Sequence, residues 1–218
     1  MIKKMELRHP LWVRLLHWSN MISITMLCLT GFYIHAPLSF RLFENMDNAR
    51  TAHFAFAMVL FVGVVLRIYL AIAEKDWPNI LYHPIEDTKK LPSMIKYYLF
   101  LAKDHPYYGK YNPGQKGMYT GVFVLALFQV LTGFILYKPE FFTSWAYFFG
   151  GYLVVRILHY IVTWIFVLMV LVHVYLDVAE GIPVLKSIFT GKIPADFHHG
   201  YHVDEQGRKI EPERGVSA

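Results

Sequence analysis

Two histidines, His159 and His173, stand fourteen positions apart in an apolar stretch that carries no Asp, Glu, Lys or Arg between Arg156 and Asp177. Fourteen steps of roughly 100° come within about 40° of whole turns, so both imidazoles leave one helix face, about 21 Å apart along the axis. An ionisable side chain inside a hydrocarbon layer is costly and marks a functional site by default. Neutral imidazole is a strong metal ligand. Two rings on one face, one near each end of a span, have the spacing of axial ligands to two haems stacked across a membrane.

Two further histidines, His17 and His53, open other apolar runs. A single intramembrane histidine can equally be a hydrogen-bonded core residue or a proton carrier, but four of them at matched depths favour ligation. Arg14, Arg50 and Arg156 each precede a histidine by three residues. That spacing puts each guanidinium on its histidine's face, one turn nearer the water, where it could pair with a haem propionate. Arginines that merely flank spans and snorkel give the same pattern.

These residues need a scaffold, and the composition says which. The 218 residues are 56% hydrophobic and 17% charged, with the charges gathered in a few segments, which predicts an integral membrane protein. Four runs reach the roughly 20 residues a bilayer core requires. We place the spans at about residues 12–35, 51–74, 117–137 and 154–178. The expected fold is all-α, an integral membrane four-helix bundle holding two haems b, with the whole chain 1–218 as one domain. The first apolar run is too long for a signal-peptide core and carries His17, so it is expected to be retained.

Lys3, Lys4, Arg8 and Arg14 precede the first span, and seven lysines from Lys75 to Lys116 lie in the long connection between the second and third. The positive-inside rule then puts both termini, the loop 75–116 and the tail 180–218 in the cytoplasm. This orientation sorts the histidines by depth: His17 pairs with His173 on the cytoplasmic side, and His53 with His159 on the outer side. The one cysteine, Cys28, excludes a disulfide and a C-x-x-C-H haem attachment, so any haem would be held noncovalently, and the two histidine pairs would supply bis-histidine ligation.

A short repeat runs through the chain: Leu29-Thr30-Gly31-Phe32 recurs as Leu131-Thr132-Gly133-Phe134, and each copy is followed by the Arg-x-x-His that opens the next span. Two related helical hairpins would explain it. Gly31, Gly63 and Gly133 would let a flat macrocycle or a second helix approach the backbone.

In combination, Arg14-Leu15-Leu16-His17-Trp18, Leu29-Thr30-Gly31, Ala52-His53-Phe54 leading to Arg67-Ile68-Tyr69, and Arg156-x-x-His159 with Trp164 and His173 resemble the b-type cytochrome subunit of membrane-bound nickel-iron hydrogenases, within the bacterial cytochrome b561 and formate dehydrogenase gamma subunit superfamily. The segment Lys110–Lys116 is similar to the gamma subunit of membrane formate dehydrogenase. The resemblance implies a membrane anchor for a periplasm-facing dehydrogenase in the bacterial inner membrane. Its partners would be the iron-sulfur and catalytic subunits of a hydrogenase or formate dehydrogenase, in an arrangement that allows a higher oligomer of the complex. Electrons would pass through the outer and inner haems to a membrane quinone, menaquinone or ubiquinone. Matching the formate dehydrogenase motif residue by residue implies a quinone pocket at Asn112 and Gly114. Asn and Gly ahead of a helix are also ordinary turn residues.

No nucleotide fingerprint or catalytic dyad is evident, and no nucleic acid is expected among the partners. Three other readings stand beside it: the gamma subunit of a formate dehydrogenase or related molybdoenzyme, a free-standing cytochrome b561 oxidising superoxide or a small reductant, and a nonredox proton carrier or anchor.

Overall fold

The structure, a computed structural model, describes residues 4–37, 42–75, 77–102, 111–195, 197–198, 201–203 and 209–210. Among them are four helices long and apolar enough to cross a membrane: α1 (Leu11–His35), α2 (Met46–Ala73), α5 (Pro113–Tyr137) and α7 (Tyr152–Ala179). The chain is a membrane protein built on a helical bundle, as the apolar runs lead one to expect.

The ends of these helices follow from local chemistry. The Asn45 side chain caps α2 by accepting from the Asn48 amide at 2.8 Å, with Asp47 in the first turn facing the helix dipole. The helix α5 begins at Pro113, ahead of residue 117, because proline has no amide hydrogen to leave unpaired in a first turn. Gly150 and Gly151, at φ of 94° and 103°, make the left-handed bend from which α7 starts.

The connections carry structure of their own. Short helices α3 (Trp77–Ile80) and α4 (Pro84–Tyr98) occupy the long connection, and α6 (Thr143–Phe148) the connection ahead of α7. After α7 come α8 (Ile182–Thr190) and β2 (Lys192–Pro194), which pairs antiparallel with β1 (Met5–Leu7), Met5 opposite Pro194. The short strands β3 (Phe197–His198), β4 (Tyr201–Val203) and β5 (Lys209–Ile210) form a small antiparallel sheet in that order. The expected tail of 180–218 is therefore folded over much of its described length.

The chain gathers into two compact units. One comprises Leu16–Tyr82 and Gln115–Leu171. Its centre is a cluster of Leu60 and Val64 from α2, Ala126 from α5, and Val162 and Phe166 from α7, with Ile24, Leu27 and Cys28 of α1 packed against it. All four long helices thus contribute to one core. Leu29, Met58, Val62, Leu127 and Leu168 point away from it and stay exposed, as lipid-facing residues do. Helices in lipid gain little from the hydrophobic effect and approach through small residues instead. Gly63 shows this: a Cβ there would lie 1.9 Å from Asn20 Oδ1 of α1.

The other unit comprises Met1–Leu15, His83–Gly114 and Val172–Ala218. It holds the β1–β2 pair and a small core of Val184, Ile193 and Phe197. Gly191 ends α8 at φ 80°, and its carbonyl accepts from the Arg8 and His9 amides at 2.8 and 3.1 Å, tying the N-terminal segment to the end of α8.

Candidate functional site

The repeated Leu-Thr-Gly-Phe segments sit on α1 and α5, and each meets a histidine of the next long helix. Thr30 Oγ1 lies 2.9 Å from His53 Nδ1, and Thr132 Oγ1 lies 2.8 Å from His159 Nδ1. Each hydroxyl also donates to the carbonyl four residues back, Thr30 to Met26 at 2.7 Å and Thr132 to Phe128 at 2.8 Å. The glycine that follows each threonine passes along the ring: a Cβ on Gly31 would lie 3.4 Å from His53 Cε1, and one on Gly133 3.7 Å from His159 Cε1. The two imidazoles are neighbours, with ring centres 6.5 Å apart and planes inclined at 57°.

The second half of this arrangement has an extra brace. Gln129 of α5 donates to the His159 carbonyl and to Thr163 Oγ1, both at 3.1 Å, and Thr163 itself donates to the His159 carbonyl at 3.0 Å. In a medium without water these bonds fix the position of α7 at the level of His159.

The other two histidines are placed differently. His17, on α1, has its ring edge-on to Trp18 at 5.4 Å. His173, in the last third of α7, has Nε2 3.3 Å from Asp177 Oδ2, one turn further along the same helix. Among the arginines, Arg14 donates through Nη1 to the Phe189 carbonyl in the last turn of α8, where a cation complements the helix dipole. Arg50 forms an exposed pair with Asp47 at 3.1 Å, a contact of small energetic weight. Arg156 is exposed.

Asn112, 1% exposed, belongs to a buried polar knot. Its amide donates to Tyr98 Oη at 3.1 Å and to Glu180 Oε1 at 3.2 Å, and the Tyr98 hydroxyl donates to the same carboxylate oxygen. Burial, and then the Glu180 charge, push the Tyr98 phenol well above its ordinary range, so Tyr98 stays a donor at neutral pH. Gly114 lies beside it, with its amide 3.2 Å from Met94 Sδ. A Cβ on Gly114 would meet Met94 Cε at 2.8 Å.

The family model for prokaryotic cytochrome b561 matches residues 8–191. The chain belongs to that family. It is similar to proteins named "Probable Ni/Fe-hydrogenase B-type cytochrome subunit" from Azotobacter vinelandii, 35% identical with 82% of each chain covered, and from Bradyrhizobium diazoefficiens, 32% identical with 84% of this chain and 82% of the relative covered. A protein of Escherichia coli K12 named "Probable Ni/Fe-hydrogenase 1 B-type cytochrome subunit" is 26% identical with 93% of this chain and 92% of the relative covered.

Membership of the cytochrome b561 family implies a b-type haem, and the His53–His159 pair fits one. Two imidazoles that each held one iron at about 2.0 Å, with roughly 1.1 Å from nitrogen to ring centre, would have their centres about 6.2 Å apart. The observed 6.5 Å is within a few tenths of that distance. With Nδ1 of each ring at a threonine hydroxyl, Nε2 is the nitrogen that would hold an iron. Sequence reasoning singled out both histidines and both glycines. It missed the threonines, although the Leu-Thr-Gly-Phe repeat displayed them, because a hydroxyl in an apolar helix also satisfies itself on its own backbone. It missed Tyr98 and Glu180 as well, whose partners lie far away in the chain.

Proposed function

We propose that this cytochrome b561 chain is the diheme membrane-anchor subunit of a respiratory dehydrogenase and carries electrons from a periplasm-facing partner to a membrane quinone. The observation that carries the reading is the His53–His159 pair, with its ring separation suited to a haem and each Nδ1 occupied by a threonine. A b haem bound there supplies reversible one-electron iron chemistry in a layer that water and ions do not enter. His53 and His159 hold the outer haem. His17 and His173 hold the inner one, an assignment that rests on their matched depths in the sequence.

The name shared by the relatives supports a nickel-iron hydrogenase, with its iron-sulfur and catalytic subunits, as the partner in preference to a formate dehydrogenase or a free-standing enzyme. The lysine excess of the loop 75–116 supports cytoplasmic termini in the inner membrane. Arg14, Arg50 and Arg156 are the proposed propionate partners. For Arg14 that role competes with the Phe189 carbonyl it already holds. Asn112 and Gly114 are the proposed quinone-pocket residues.

Reduced-minus-oxidised spectra of the purified full chain test this reading. Replacing His53 or His159 by Ala should remove one b-type component, and replacing His17 or His173 the other. Loss of the same component in the His53 and His17 variants would refute the pairing. Hydrogenase subunits should copurify with the wild-type chain.

A further inference from the structure

We infer that Thr30 and Thr132 are positioning residues that set the tautomer of His53 and His159, each holding Nδ1–H on its hydroxyl oxygen so that Nε2 faces the metal. The inference rests on the reading of those histidines as haem ligands.

A threonine hydroxyl has one hydrogen and two lone pairs. At 2.7 Å from the Met26 carbonyl and 2.9 Å from His53 Nδ1, the Thr30 hydrogen can serve only one of the two. If it went to Nδ1, two oxygens would face each other at 2.7 Å with no proton between them, inside a layer that offers no water to relieve the repulsion. The hydrogen therefore goes to the carbonyl, the hydroxyl oxygen accepts from Nδ1–H, and Nε2 carries the free lone pair. The same reasoning holds for Thr132, with Phe128 O at 2.8 Å and His159 Nδ1 at 2.8 Å.

Backbone bonding four residues back is common for threonine in apolar helices and needs no ligand to explain it. It does not explain an imidazole nitrogen at hydrogen-bond distance from both hydroxyls. The two threonines are 2% and 0% exposed, lie on different helices and reach histidines on different helices, yet the distances agree to about 0.1 Å. The glycine after each threonine leaves the ring edge room to enter. The repeat seen in the sequence is in this sense a repeated ligand holder: threonine for the nitrogen, glycine for the ring.

The consequence is electronic as well as geometric. An acceptor on Nδ1–H makes Nε2 a stronger donor and favours the oxidised metal, so removing it should raise the midpoint potential of the haem that the ring ligates. Valine matches threonine in shape and removes the acceptor, while serine keeps it.

The test uses the full haem-loaded chain in detergent and follows each b-type component by potentiometric titration and low-temperature EPR. Thr30→Val and Thr132→Val should each raise the potential and shift the ferric EPR signal of one component, the one lost in His53→Ala. Thr30→Ser and Thr132→Ser should restore both readouts. Loss of that component in a valine variant supports the inference if serine brings it back, and overturns it if serine does not. Unchanged potentials, or a change confined to the component lost in His17→Ala, overturn it too. If His53→Ala and His159→Ala leave both components in place, the ligand assignment itself fails. If they remove one component while the valine variants leave its potential unmoved, only the threonine role fails.

Discussion

Replacing Asn112 by Leu distinguishes the structural role of the buried knot from the proposed quinone-pocket role of Asn112. The amide is a donor to a carboxylate that is 3% exposed, and to a phenol that is 6% exposed. Leucine shares the branched outline of asparagine but is larger, so no cavity is left and some overpacking adds to the polar loss. The bond to the buried carboxylate contributes about 1.5–3 kcal/mol and the bond to the Tyr98 oxygen about 0.5–1.5 kcal/mol, so the two lost together are worth about 2–4.5 kcal/mol. For a chain of this size, that corresponds to a fall in Tm of about 4–18 °C. Thermal unfolding in detergent, followed by tryptophan fluorescence, measures it. An unchanged Tm would refute the knot as a source of stability. Quinone reduction by the intact complex, measured on the same variant, reads the other role. Tyr98→Phe is the control, because it strips a donor from the same carboxylate while sparing the Asn112 amide. If both variants lose stability but only Asn112→Leu stops quinone turnover with both haems still reducible, Asn112 belongs to the pocket. Turnover that falls in both variants in step with Tm would make its role structural.

Gly191→Ala should destabilise the chain by about 1–3 kcal/mol, because the new methyl overpacks a backbone contact that has nowhere to shift. The residue sits at φ 80°, and its Cβ would stand 2.7 Å from the His9 carbonyl oxygen, so an unchanged Tm would contradict the described junction of α8 with the N-terminal segment. Reporter fusions near Lys89 and at Ala218 should be active only as cytoplasmic markers, given the lysine distribution. A periplasmic signal from either would exchange the outer and inner assignments.

What was legible in the sequence had a period or a spacing to carry it. Runs of about 20 apolar residues announce α1, α2, α5 and α7 because a bilayer leaves few other structures possible. His53 and His159 stood out because charge-capable groups are rare in such runs. The helix α4 was harder to see in the loop 75–116, since Pro92 interrupts its interior and its lysines resemble a solvated connection. Glu180 had no local signal at all. Its importance comes from Tyr98 and Asn112, 82 and 68 positions away, and no pattern within a helix reports a partner at that range.

The histidines also differ in how far the protein alone prepares them. His53 and His159 are held by neutral acceptors from neighbouring helices, at the depth of the rings themselves, where a carboxylate would be costly. His173 draws its partner from its own helix, one turn closer to the end of α7, where a charged group is tolerable. The difference has a consequence for assembly. At His53 and His159 the threonines hold Nδ1, so the proposed ligation through Nε2 would leave those bonds in place, whereas the proposed ligation of His173 through Nε2 would displace Asp177. A site that needs no rearrangement binds at lower ligand concentration, because the cost of ordering has already been met in folding. Under limiting haem, the component lost in His53→Ala should therefore fill first, and Asp177→Asn, which weakens the hold on His173, should narrow the gap between the two. Simultaneous filling in the wild type, or a gap that Asp177→Asn leaves unchanged, would mean that the Asp177 contact does not govern loading of the second site.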